Sequence, residues 1–158
     1  MLRVGSEAHF EAKARKGGVH ALTVSTGENA ARVFIENQLA CLVAPQPQVK
    51  FIYAQPRARF LPKPQTEDIE LGVYTFSPGE TSRVVLYDPN GKEAASGDTI
   101  STRNLKLKVG IKPEHAGRSR SFAIIKAKTG ILESVFLSLG KNEPFIASHL
   151  SRLIKMSE

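Results

Sequence analysis

Ser82-Arg83-Val84-Val85-Leu86-Tyr87-Asp88-Pro89-Asn90-Gly91-Lys92-Glu93-Ala94-Ala95 is the stretch whose reading decides the fold. A β-branched and aromatic run, Val84 to Tyr87, stops at turn formers and resumes as a weaker, more polar run, the pattern of a β-hairpin. Pro89 presets φ for the second turn position, Asn90 tolerates the third, and Gly91 takes the left-handed conformation that returns the chain into register. Val84 and Leu86 fall on one face and Val85 and Tyr87 on the other, so both faces need cover and the hairpin belongs in the middle of a sheet.

The surrounding chain reads as more sheet. Working backwards, Ile69, Leu71 and Val73 alternate towards Phe76, and Ser77-Pro78-Gly79-Glu80 turns into the hairpin. Between 55 and 68, Pro56, Pro62 and Pro64 among Arg57, Arg59 and Lys63 favour an extended crossing loop over a ladder strand. Val49, Phe51 and Tyr53 form a strand pattern, and the apolar run Leu39 to Val43 is a second candidate for a central strand. Earlier still, Phe10, Ala12 and Ala14, then His20, Leu22 and Val24, then Ala31, Val33 and Ile35 alternate between glycine-containing turns. Beyond the hairpin come a polar loop from 97 to 104, a strand from Leu105 to Val109, a loop from Lys112 to Gly117, and strands at Phe122 to Ile125 and around Val135 and Leu137. The tail supports two readings: a short helix, from the spacing of Ile146, Leu150, Leu153 and Ile154, or a strand end at Phe145 to Ala147.

Roughly nine or ten short strands with no internal helix read as an all-β antiparallel sandwich or jelly roll. The expected core includes Val84, Leu86, Leu105, Leu107, Phe122, Ile124, Val135 and Leu137. The 158 residues fit a single domain over 1–158. Hydrophobic content of 41% and charged content of 23% rule against wholesale disorder. No apolar stretch reaches bilayer-spanning length. Residues 1 to 30 lack a signal-peptide core, so if the protein is exported, the leader is expected outside this stretch. Cys41 stands alone, which excludes an internal disulfide and a cysteine metal cluster. The net charge of +7 is spread among apolar positions, as with Lys106 and Lys108 between Leu105, Leu107 and Val109, so the solvent face of a strand explains it better than a phosphate-binding stripe.

Gly18 to Val24 with Ala31-Arg32-Val33, then Tyr74-Thr75-Phe76-Ser77-Pro78-Gly79 leading into Val84 to Lys92, resemble the galactose-binding-like β-sandwiches, and within them the pre-peptidase C-terminal type of domain. Ser121 to Leu139 followed by Glu143 to Ser148 is similar to the ending of modules in bacterial glycosidase-associated proteins. The resemblance implies a non-catalytic accessory domain of a larger exported bacterial enzyme, extracellular or periplasmic, with a glycan or another domain of its own chain as partner.

The residues themselves suggest no reaction. His9, His20, His115 and His149 lack paired metal-ligand spacing, and neither a nucleophile elbow nor a glycine-rich phosphate loop occurs. Glu67, Asp68 and Glu70 cluster as solubilising residues do before a strand. No cofactor is expected; calcium is left open through Asp88 or Asp98, and Asp88 can equally accept a backbone N–H of its own turn. With no Trp and three Tyr, a sugar platform is poorly signalled; Phe60 is the most exposed-looking aromatic, and the reading that it anchors the proline-rich crossing loop to the core is preferred to a platform role. The longest connections offer Arg57, Arg59, Phe60, Asp98, Arg103, His115 and Arg118 as ligand-binding candidates. Two other functions compete with the accessory domain. One is a nucleic-acid or polyanion binder using Arg57, Arg59, Lys63, Arg118 and Arg120, which the scattered charge disfavours; the other is a small sandwich hydrolase.

Overall fold

The structure, a computed structural model, describes residues 9, 11, 13, 42–43, 48–52, 54–63 and 66–153. The chain falls into two compact units, Met1–Phe34 and Ile35–Glu158. The architecture that follows is that of the second. The strands expected between 10 and 36, and Cys41, lie outside the described residues.

Among the described residues ten strands follow in order: β1 Leu42–Val43, β2 Val49–Ile52, β3 Arg57–Phe60, β4 Asp68–Tyr74, β5 Ser82–Tyr87, β6 Glu93–Asp98, β7 Asn104–Gly110, β8 Arg120–Lys126, β9 Ser134–Ser138 and β10 Phe145–Ile146. They build two four-stranded sheets, β2-β9-β4-β7 and β3-β8-β5-β6, with β1 and β10 as a separate pair. Every strand pairing is antiparallel. This unit is therefore an all-β sandwich, as its alternation predicts.

Alternation supplies the core. On β4, Ile69, Leu71 and Val73 are buried while Asp68, Glu70, Gly72 and Tyr74 are half-buried on the opposite face. Val84, Leu86, Leu107, Phe122, Ile124, Val135 and Leu137 are all buried in the same cluster, with Leu105 half-buried against it. Gly97 on β6 makes room for that leucine, since a Cβ at position 97 would stand 2.9 Å from Leu105 Cδ1.

The central hairpin forms as read. Gly91 has φ +82°, and its N–H donates to the carbonyl of Asp88 at 3.0 Å. β5 is an interior strand and β6 the edge of its sheet.

Two expectations need revising, and the two readings of the tail are decided. The stretch 55–68 is not all loop: Arg57–Phe60 pairs with β8, Arg57 opposite Ala123 and Phe60 opposite Arg120. The prolines permit this because Pro56 and Pro62 stand outside the four-residue strand, where no ladder N–H is required. The chain still crosses here, from the first sheet to the second and back. Of the run Leu39 to Val43 only Leu42–Val43 is described, and it pairs with β10 in a two-stranded sheet rather than within either four-stranded one. In the tail the strand reading holds at Phe145–Ile146, followed by a single 3₁₀ turn at Leu150–Arg152 in place of an amphipathic helix.

Among the described residues no helix is long and apolar enough to cross a membrane.

Candidate functional site

The structure separates the residues nominated by sequence. Arg57 and Arg59 share the outer face of β3, since Ala58 and Phe60 face the core. Phe60 is 0% exposed, with its ring centroid 6.3 Å from that of Phe122. It offers no face to a ligand, so the core-anchor reading holds and its candidacy as a ligand-binding residue is corrected. His115 is buried in a 3₁₀ turn, Pro113–His115. Asn90 links it to Arg118: the Asn90 amide nitrogen lies 3.4 Å from His115 Nε2, and Arg118 Nη2 donates to Asn90 Oδ1 at 3.2 Å.

Asp98 closes the far end of β6, where Oδ1 accepts the N–H of Ile100 at 3.0 Å. Arg103 lies in the connection to β7 and is exposed. Neither belongs with the arginines of β3 or with the hairpin tip. Among the described residues no group of three or more His, Cys, Asp or Glu is placed to hold a metal ion. Asp88 Oδ1 is engaged within its own turn by the N–H groups of Asn90 and Lys92, both at 2.9 Å.

The outer face of the first sheet carries a different constellation. Its register sets Lys50 opposite Phe136, Phe136 opposite Tyr74, and Tyr74 opposite Asn104. The Tyr74 and Phe136 rings lie 5.8 Å apart at 46°, and Lys50 Nζ stands 5.5 Å from the Phe136 centroid. Phe76, just past the end of β4, meets Tyr74 edge-on at 6.5 Å and remains 65% exposed. An aromatic row, half-buried at Tyr74 and Phe136 and exposed at Phe76, thus lies on the outer face of a sheet that buries its other face.

Along β4 from Tyr74 the face drops to Gly72, in register with Ser138. A Cβ at Gly72 would already stand 3.4 Å from that of Ser138, so the two strands are in close contact there. Next comes a polar cavity of about 150 Å³ lined by Asp68, Glu70, Lys108, Gly140, Lys141 and Asn142. Lys108 Nζ binds Asp68 Oδ2 at 2.8 Å, and Lys106 Nζ lies 3.9 Å from Glu70 Oε1. The hydrogen bond to Asp68 holds the Lys108 ammonium above its ordinary range, with the Asp68 charge adding to it.

Asn142 completes this wall and is 3% exposed. Its Nδ2 donates to the carbonyls of Glu70 at 3.2 Å and Leu139 at 2.6 Å. Those two acceptors fix the amide orientation, because a flipped amide would set oxygen against oxygen. Oδ1 is left buried without a hydrogen-bond partner. The outer face along β4 therefore carries aromatic rings at one end and a polar cavity with lysine-paired carboxylates at the other.

Sequence reading overlooked this face. The signal was present for the rings, since burying Val73, Val135 and Leu137 turns Tyr74 and Phe136 outward. Nothing local marks Asn142, whose role depends on the carbonyl of Glu70 on another strand.

No known protein family matches the chain, and no curated protein matches it. Among solved structures, an arabinose-bound α-L-arabinofuranosidase, MgGH51, aligns over 71% of this chain and 22% of that one, at 15% identity and a TM-score of 0.29. The chain thus spans about a fifth of that protein's length, and an overlay this loose has no bearing on ligand or activity.

Proposed function

We propose that this sandwich is a non-catalytic glycan-binding module, an accessory domain of an exported bacterial enzyme, and that it holds a sugar chain along the outer face of β4. The observation that carries the reading is the coincidence, on one sheet face, of the Phe136–Tyr74–Phe76 row with the polar cavity lined by Asp68, Glu70 and Asn142. Sugars have apolar C–H faces that pack on aromatic rings and hydroxyls that donate to carboxylate and amide oxygens, so this face matches both halves of their chemistry. From Asp68 to Tyr74 the face runs about 20 Å at ~3.3 Å per residue, long enough for a chain of rings to touch both ends.

A binding role fits the hydrogen bonding better than hydrolysis does. Asp68 and Glu70 each face a lysine, and the buried His115 is paired with Asn90, so neither set forms a base–nucleophile couple. The polyanion alternative is weaker on this face because its lysines are largely engaged by carboxylates or an aromatic ring.

Affinity electrophoresis of the full chain against a panel of soluble neutral and acidic polysaccharides tests the proposal. The expected result is retardation by at least one glycan, little changed by salt, and weakened about tenfold or more by Tyr74→Ala or Phe136→Ala. Absence of retardation across the panel, or retardation that Tyr74→Ala and Phe136→Ala leave intact, would overturn it.

A further inference from the structure

The second sheet carries a groove of its own. On its outer face β3 presents Arg57 and Arg59, β8 presents Ser121 and Ala123, and β5 presents Tyr87. Register aligns Arg59 with Ser121 and Ser121 with Tyr87, which puts a guanidinium, a hydroxyl and a phenol in one row across three strands. At a strand spacing of ~4.8 Å, the outer two backbones of that row are about 10 Å apart. The small side chains of Ser121 and Ala123 between them let the surface sink. The result is a groove of about 200 Å³ that also includes Ser148 in its wall. Ser148 is delivered by its neighbour Ala147, whose N–H and carbonyl pair with those of Arg59 at 3.0 and 2.7 Å.

The charge in this groove is uncompensated. Neither Arg57 nor Arg59 has a side-chain hydrogen bond or ion pair among the described residues. Arg59 is nonetheless half-buried. No carboxylate lines the groove. The nearest acid in register, Glu93, lies across Tyr87 on the edge strand and is ion-paired with Arg83 at 4.0 Å.

We propose that this groove is an oxyanion site: Arg57 and Arg59 receive a carboxylate, sulfate or phosphate group, and the hydroxyls of Tyr87, Ser121 and Ser148 donate to its remaining oxygens. Guanidinium groups suit planar, bidentate recognition of such anions, and hydroxyls complete the donor set without adding charge. The volume is below that of a drug-sized pocket, so the fit is to one anionic group of a ligand rather than to an extended molecule. This site is independent of the aromatic face on the other sheet.

The test is amide-resolved NMR titration of the full chain with inorganic phosphate, sulfate or glucuronate at constant ionic strength. The expected result is a saturable shift of the Tyr87, Ser121 and Arg59 amides with at least one of the three. Phosphate or sulfate saturation assigns a tetrahedral oxyanion, and glucuronate alone assigns a carboxylate. Arg59→Ala or Arg57→Ala should weaken that binding about tenfold, Arg59→Lys should recover only part of it, and Arg103→Ala should leave it unchanged. Shifts that never saturate, that spread alike over all exposed cations, or that survive both alanine variants would overturn the proposal. So would loss of glucuronate binding in Tyr74→Ala, which would assign the sugar to the aromatic face instead.

Discussion

The buried carboxylate of Glu80 accepts the backbone N–H of Ser134 at 3.1 Å through one oxygen and that of Ser77 at 2.9 Å through the other. The first bond reaches from the turn between β4 and β5 to the start of β9; the second holds the turn itself. Backbone bonds reinforce the junction, with Thr81 N–H donating to the Ile131 carbonyl at 2.6 Å and Ile131 N–H to that of Gly79 at 2.9 Å. Thr81 Oγ1 also donates to the Thr129 carbonyl. One end of the sandwich is thus locked by a charged side chain satisfied entirely by backbone donors.

Glu80→Ala strands both of those donors and is expected to lower stability by about 3 kcal/mol. Glu80→Gln keeps one acceptor and should lose roughly half as much. Urea unfolding at unchanged m-value measures both; equal midpoints for parent and Glu80→Ala would show that the junction holds without the carboxylate.

Gly130 provides a steric test of the same junction. It has φ +82°, and a Cβ there would stand 2.4 Å from the Gly79 carbonyl oxygen and 2.5 Å from Thr81 Oγ1. Gly91 has φ +82° as well, but with nothing within 4 Å of its Cβ position. Gly91→Ala should therefore cost only the backbone penalty of about 1–2 kcal/mol, and Gly130→Ala clearly more. Matching melting temperatures for the two variants would refute the close approach.

Leu86, buried on β5, sits where the two sheets face each other. Leu86→Ala should cost about 2–5 kcal/mol through lost burial and the cavity left behind. An unfolding midpoint equal to the parent's would remove β5 from the core.

The N–H of Lys92 holds the Asp88 carboxyl below its ordinary value of 3.8; desolvation opposes this, while the N–H of Asn90 and the charges of His115 and Arg120 assist. Since the folded-state pKa is the lower one, the stabilisation is fully present above 3.8 and is lost as pH falls through the folded value. Asp88→Asn should therefore be less stable than the parent near neutrality, with the gap closing at pH below 3.8. Thermal melts across that range would detect the convergence; a constant gap would exclude the linkage.

The fold was legible where its causes are local. Asp88-Pro89-Asn90-Gly91 carries its own turn chemistry, and Ile69, Leu71 and Val73 show their common face by alternation alone. Arg57–Phe60 was hidden because two prolines flank a four-residue strand, and proline composition outweighs so short a pattern. The candidate surfaces were less legible for a related reason. Arg57 and Arg59 could be named from their loop-like neighbourhood, but Tyr87 and Ser121 join them only through the register of β3, β8 and β5. Asn142 acquires its free acceptor from bonds to carbonyls on β4 and at the end of β9, a cause no local window contains.

The pairing of Arg59 with Ala147 also decides how this sheet behaves towards other chains. An exposed edge strand is a template for intermolecular pairing and hence for aggregation. At β3, Ala147 already occupies both backbone groups of Arg59, and Pro56, just before the strand, has no N–H to offer. An incoming strand from a second molecule meets a proline at one end of β3 and an occupied pair towards the other. On this sheet the hazard passes to β6, where Glu93 and Asp98 place a carboxylate at each end of the open edge.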